Sequence, residues 1–82
     1  MSDIDLDKFI SEFVKQCVIT SPGDVVLSSI MTATVYHYAR SLGINLDTSG
    51  IKLRKILLTK IPNDEIRYVN VRINWVQLPL VF

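Results

Sequence analysis

The sequence predicts an α+β fold, mainly α, in which three helices precede a short antiparallel sheet within a single domain spanning residues 1–82. Three observations predict it. Apolar residues near the start recur at three- and four-residue steps, Ser/Pro/Gly/Asp clusters separate the periodic stretches, and from Ile66 onward the apolar period drops to two.

Composition narrows the function classes first. At 82 residues with 49% hydrophobic side chains, the chain is large enough for one core without staples. Its one cysteine, Cys17, has no partner for an internal disulfide and no Cys or His at ligand spacing, so neither a secreted disulfide scaffold nor a zinc module is expected. No apolar run approaches the ~20 residues of a membrane span. The acidic start Met1-Ser2-Asp3-Ile4-Asp5 has the wrong sign for a targeting peptide. A soluble, intracellular protein, cytoplasmic or nuclear, with no membrane association is expected. The net charge is only +1, but it is unevenly placed: residues 1–24 carry −3 and residues 25–82 carry +4. Such an asymmetry would orient the molecule towards a polyanion with its acidic helix facing away.

The first helix is expected over residues 5–18. Leu6, Phe9, Ile10, Phe13, Val14 and Cys17 line one face, while Lys8, Ser11, Glu12, Lys15 and Gln16 fall opposite. Asp3 and Asp5 stand where they can cap free amides and meet the positive helix end. Cys17, on the apolar stripe with nothing nearby to lower its pKa, is expected to be a packed thiol.

Ser21-Pro22-Gly23-Asp24 punctuates the chain, and the residues from there to Leu42 fit two structures. Either Ser21 caps one long helix with Pro22 at its first position, or Val25-Val26-Leu27 is a brief strand and Ser28 caps a helix from Ser29 to Leu42. The second is preferred, because the β-branched pair suits an extended segment and a continuous helix would waste the Ser28-Ser29 cap. Ile30, Met31, Ala33, Val35, Tyr36, Tyr38, Ala39 and Leu42 then make a largely buried helix over residues 29–42, stopped by a left-handed Gly43. His37 sits between tyrosines, with no nucleophile or paired carboxylate at a recognisable spacing, so a structural or solvent-facing role is expected.

The third helix is expected over residues 48–61, from the Asp47-Thr48-Ser49 cap signals to Pro62. Leu53, Ile56, Leu57 and Ile61 spread over one side, and Lys52, Lys55 and Thr59 cluster on the other. Arg54 falls at the boundary and is expected to snorkel. A positive stripe on a short capped helix suits contact with phosphates, with Thr48 and Ser49 near its amide-rich start; a solvated face on a packed helix has the same pattern. Next, Val69, Val71, Ile73 and Trp75 alternate with Asn70, Arg72 and Asn74, as a half-buried strand or tight hairpin over residues 65–78 requires. Arg67, Asn70, Arg72 and Asn74, with Tyr68 close by, would form an exposed basic ribbon. The apolar ending Gln77–Phe82 would complete the sheet or make a sticky edge for self-association, with Pro79 limiting strand addition.

Helix, brief strand, helix, helix and two short antiparallel strands is the plan of a winged helix-turn-helix. Val25-Val26-Leu27, Val35-Tyr36, Leu53-Arg54-Lys55-Ile56-Leu57, and Arg67, Arg72 and Trp75 at their spacing together resemble the C-terminal winged-helix domain of viral and phage primase-helicases, and the RFX-type winged helix is similar in the same places. The resemblance covers Phe9 to Leu78 and rests on spaced apolar and basic positions. It implies double-stranded DNA binding by the third helix and the wing, with Lys55 matching the family's helix base and Arg67 and Arg72 the arginines flanking the wing. This chain lacks glycine between those arginines and after Trp75, so a short wing is expected.

The expected function is therefore duplex DNA binding, in viral or mobile-element replication or transcription. Lys52, Lys55, Lys60, Arg67 and Arg72 supply charge, and Ser49, Asn70 and Asn74 supply hydrogen bonds. Four or five phosphate contacts would give a log–log salt slope of about −4 and affinity of micromolar order at best, so a homodimer or a larger replication or transcription assembly is expected for tight binding. A protein-interaction or dimerisation module on the same scaffold is the alternative, favoured by the near-zero net charge and the apolar ending. No phosphate loop, triad, metal cluster or close carboxylate pair occurs, so no enzyme activity, cofactor or metal is expected.

Overall fold

A computed structural model of the chain describes residues 5–74. The elements run α1 (Leu6–Cys17), β1 (Val18–Leu27), α2 (Ser28–Ser41), α3 (Gly50–Lys60) and β2 (Arg67–Ile73), giving an α+β architecture with a two-stranded antiparallel sheet. α3 packs on α1 and α2, while α2 rests on both strands. The core between them collects Ile10, Phe13 and Cys17 from α1, Met31 and Val35 from α2, Leu53 and Leu57 from α3, and Val26, Tyr68, Val71 and Ile73 from the sheet. Cys17 lies on the buried stripe as its spacing predicts, and burial pushes its thiol pKa up.

α1 begins with Asp5, whose side chain accepts the Lys8 amide at 3.2 Å. It ends without a loop: the residue after Cys17 is already strand. β1 is far longer than the expected Val25–Leu27, because Ser21-Pro22-Gly23-Asp24 lies inside it as a bulge. Register shifts between Thr20 and Val25, so that these four residues face Asn70 alone. The missing amide of Pro22 leaves no gap in a stretch that is already unpaired. Gly23 adopts φ +88° and Asn70 φ +58°, and the Gly23 amide donates to Asn70 Oδ1 at 3.0 Å. Asparagine tolerates that left-handed backbone better than most residues.

The bulge at Asn70 also corrects the expected alternation in β2. Tyr68, Val71 and Ile73 share the buried face, whereas Val69 pairs with Val25 on the other. Tyr68, expected near the exposed ribbon, is fully buried. Nor is there a tight hairpin within residues 67–73: β2 is one continuous strand and pairs with β1. The expected strand residues beyond Asn74, with Trp75 and the apolar ending, lie outside the described residues.

α2 starts at Ser28, one residue before expectation. Leu27 is its N-cap, and no side chain caps it, so the anticipated Ser28 cap is absent. At its other end, Gly43 takes φ +74° as predicted. The Gly43 and Ile44 amides donate to Arg40 O at 3.0 Å and Ala39 O at 2.9 Å, which satisfies the final carbonyls of the helix. Three residues expected in the core are exposed: Ile30 at 45% and Leu42 at 55%, at the two ends of the buried stripe, and Ala33, which lies off it. α3 is capped by Ser49, whose hydroxyl accepts the Lys52 amide at 3.3 Å. Beyond α3, the Asn63 side-chain amide donates to Leu58 O at 2.9 Å and Ile61 O at 2.8 Å, folding the chain back towards β2.

Candidate nucleic-acid interface

Only part of the expected basic set comes together. Lys52 and Lys55 are exposed one turn apart on the outer face of α3, with the Ser49 cap at the start of the same helix. Among the described residues neither lysine has an ion pair. Thr48 is half-buried behind them, and its carbonyl accepts the Tyr36 hydroxyl, which ties α2 to the turn before α3.

The remaining cations lie elsewhere. Lys60 sits at the far end of α3, where its ammonium pairs with Asp7 of α1 at 3.1 Å and its side chain is only 19% exposed. The acidic helix therefore does not face away from the basic one: α1 packs against α3, and Asp7 neutralises one of its charges. Arg67 and Arg72 both occupy the outer face of the sheet, in cross-strand pairs with Leu27 and Ile19. Val25 and Val69 lie between them, so this ribbon is aliphatic in the middle and cationic at its ends. Asn70 is exposed but committed to the bulge, and the Asn74 amide donates to Cys17 O at 2.7 Å, past the end of β2.

Arg67 is held by its neighbour Asp64, with guanidinium and carboxylate 3.0 Å apart. The Asp64 carboxylate also accepts the amides of Arg67 at 2.7 Å and Ile66 at 3.0 Å. The Arg67 amide, then the Ile66 amide, then the Arg67 guanidinium hold the Asp64 carboxyl below the usual carboxylate range. This turn is a positioning device for the start of β2, and its exposed ion pair leaves Arg67 able to exchange partners.

A second cluster was not assembled by sequence patterning. Arg54 ties α3 to α2 and to the turn before β2: its Nε donates to Ser28 Oγ at 3.2 Å, and a terminal nitrogen donates to the Glu65 carbonyl. Beside them lies the Tyr68 hydroxyl, buried without a hydrogen-bond partner. Burial raises the Tyr68 phenol, opposed by the adjacent Ser28 hydroxyl and the Arg54 charge. Ser28 is close enough to exert that pull, but the two hydroxyls stop short of hydrogen-bond geometry. Arg54 stood out in the sequence as a misfit on the apolar side of α3, and Ser28-Ser29 as cap signals. Nothing in the sequence joined them to Tyr68, because the Asn70 bulge sets that residue's face.

Two further concave regions flank α2. One, of about 530 Å³, lies beside His37, Arg40, Tyr36 and Asn45 at the carboxyl end of α2. The other, of about 740 Å³, runs between the amino ends of α2 and α3, where Ser28, Ser29, Ser49 and Arg54 meet. Among the described residues, no group of His, Cys, Asp and Glu is arranged to hold a metal ion, and no helix is long and apolar enough to cross a membrane. No protein-family model, curated protein or solved structure matches this chain.

Proposed function

We propose that this chain binds double-stranded DNA through the phosphate backbone, using the exposed face of α3. The observation that carries the reading is the Lys52–Lys55 pair: two exposed ammonium groups one helical turn apart, beside an amide-rich helix start, with no carboxylate paired to either among the described residues. Backbone contact of this kind positions a protein on a duplex without reading bases. Arg67 and Arg72 would add charge from the sheet, whereas Lys60 contributes little because Asp7 already neutralises it. With about four cations engaged, log Kd should change against log salt with a slope of magnitude about 3.6. Affinity for one copy is then weak and sequence-tolerant.

The test is retention on two unrelated duplexes at two ionic strengths, for the natural chain and for Lys52→Glu/Lys55→Glu. Both positions are exposed, so the double variant should keep its fold and lose retention at low salt. Equal retention by the variant, or salt-insensitive retention by the natural chain, would overturn the proposal.

A protein-interaction role is the second reading, and the outer sheet face favours it. Val25 and Leu27 are each 50% exposed there, beside Ile30. Light scattering over a concentration series discriminates: self-association that survives Lys52→Glu/Lys55→Glu and is lost with Val25→Lys would move the function to this face.

A further inference from the structure

The outer side of α2 carries a continuous trough. Ser29, Ala33, Tyr36 and Arg40 recur at steps of three and four, which aligns them on the side of the helix away from its buried Met31, Val35 and Ala39. The concavity of about 740 Å³ at the amino ends of α2 and α3 and the one of about 530 Å³ at the carboxyl end of α2 both include Ala33 and Tyr36, so they are two halves of one depression. From Ser28 to Arg40 the helix rise makes it about 18 Å long. Its second wall is the turn from Gly43 to Leu46 and the first turn of α3.

The middle of the trough is apolar and its ends are cationic. Ala33 is exposed, and Ile51 on α3 is 73% exposed, more than any other large hydrophobic residue described. The floor is firm: the Thr32 methyl lies 3.4 Å from where a Gly50 Cβ would stand, and the Tyr36 hydroxyl is held by the Thr48 carbonyl. At one end, Arg54 donates only to neutral acceptors, the Ser28 hydroxyl and the Glu65 carbonyl. Arg40 lines the other end. Among the described residues neither arginine has an ion pair, and no Asp or Glu lines the trough.

We propose that this trough docks one amphipathic helix of a partner protein, about three turns long, whose apolar stripe covers Ala33, Tyr36 and Ile51 and whose acidic side chains near each end meet Arg54 and Arg40. Charge complementarity sets the sign of the partner: two arginines without carboxylates, 12 residues of α2 apart, select an acidic group at each end. The apolar lining sets its backbone state. An extended strand would bring unpaired amides and carbonyls against aliphatic side chains, whereas a helix has already satisfied its own. A second copy does not supply such a helix, because α1 buries its stripe of Ile10, Phe13 and Cys17 in the core. A duplex backbone presents no apolar surface to Ile51. Neither Lys52 nor Lys55 lines the trough, so docking is a property separate from duplex binding.

The probe is a synthetic, fluorophore-labelled helix of about four turns, with a leucine stripe, glutamates at each end, and alanine and glutamine elsewhere. The controls are a scrambled peptide of the same composition and a helix with lysines in place of the glutamates. Anisotropy during titration with the whole chain should show saturable binding of the glutamate helix, about tenfold tighter than either control. Ile51→Ser and Ala33→Glu, both at exposed positions, should each lower that affinity about tenfold while Tm stays close to the natural value. Arg40→Glu should weaken the glutamate helix and bind the lysine helix more tightly than the natural chain does, a reversal that a structural role for Arg40 would not produce.

Absence of saturable binding, equal binding of the scrambled peptide, or unchanged affinity in Ile51→Ser or Ala33→Glu overturns the proposal. Self-association on light scattering that Ala33→Glu abolishes would make a second copy the occupant, and overturns it too. Loss of duplex retention in the uncharged Ile51→Ser would make the trough part of the DNA surface, with the same consequence. If the glutamate helix binds as expected and no duplex is retained, the docking site stands and the DNA reading falls.

Discussion

Asn70 stands opposite the register shift between the two strands. Its left-handed backbone lets β2 absorb the mismatch with Ser21–Asp24, and its side chain satisfies the Gly23 amide across the bulge. Asn70→Ala removes the hydrogen bond and strains the backbone, so a loss of about 1–2 kcal/mol in urea unfolding is expected. Asn70→Gly keeps the conformation and loses only the bond, so it should be the milder variant. Equal losses would show that backbone conformation is not the issue. Tyr68 is the opposite case: its hydroxyl is buried and unpartnered in the free chain, so Tyr68→Phe should leave stability unchanged or raise it by up to about 1 kcal/mol. Clear destabilisation on thermal unfolding would mean that the hydroxyl has a partner. Asp64 sets the pH response at this scale. Its pKa is lower folded than unfolded, so the unfolded chain binds more protons as pH falls. Stability from this residue is therefore present above the ordinary carboxylate range and is lost as pH falls through that range and then through the lowered folded value. Asp64→Asn should flatten the acid limb of Tm against pH.

At the scale of elements, the helices follow the sequence closely, and for local reasons. α1 keeps its apolar stripe and Asp5 cap, and α3 keeps its Ser49 cap and ends at Lys60 beside Pro62. Periods of three and four residues and cap chemistry act over one or two turns, within reach of sequence patterning. Ser49→Ala should cost about 1 kcal/mol by urea unfolding, while Ser49→Asp should not, because a carboxylate caps equally well. The strands were less legible. Pro22 and Gly23 look like a loop signal, yet β1 runs through them because the mismatch is absorbed as a bulge against a residue 47 positions away. No local rule anticipates that pairing. The same bulge reverses the faces of Tyr68 and Val69, so the expected ribbon of Arg67, Asn70, Arg72 and Asn74 is not one uniform polar face.

For the whole molecule, the distribution of charge follows from packing rather than from the order of residues along the chain. The acidic and basic parts of the sequence suggested a dipolar domain, but α1 lies against α3 and Asp7 pairs with Lys60. The cations divide into Lys52 and Lys55 on α3, Arg54 in the groove between helices, and Arg67 and Arg72 on the outer sheet face. Weak, salt-sensitive backbone contact suits such a spread better than a single deep basic cleft. A second copy or a larger assembly would be the means of raising affinity, by joining several weak contacts.

By itself the sequence determined three helices, the caps of α1 and α3, the buried position of Cys17 and the exposed Lys52–Lys55 pair, because each follows from spacing within a turn or two. Only the tertiary structure decided that β2 pairs with β1 through a bulge, that Tyr68 turns inward, and that Arg54 reaches Ser28 and Glu65. Those outcomes join residues far apart in the chain, and packing one buried face against another selects them.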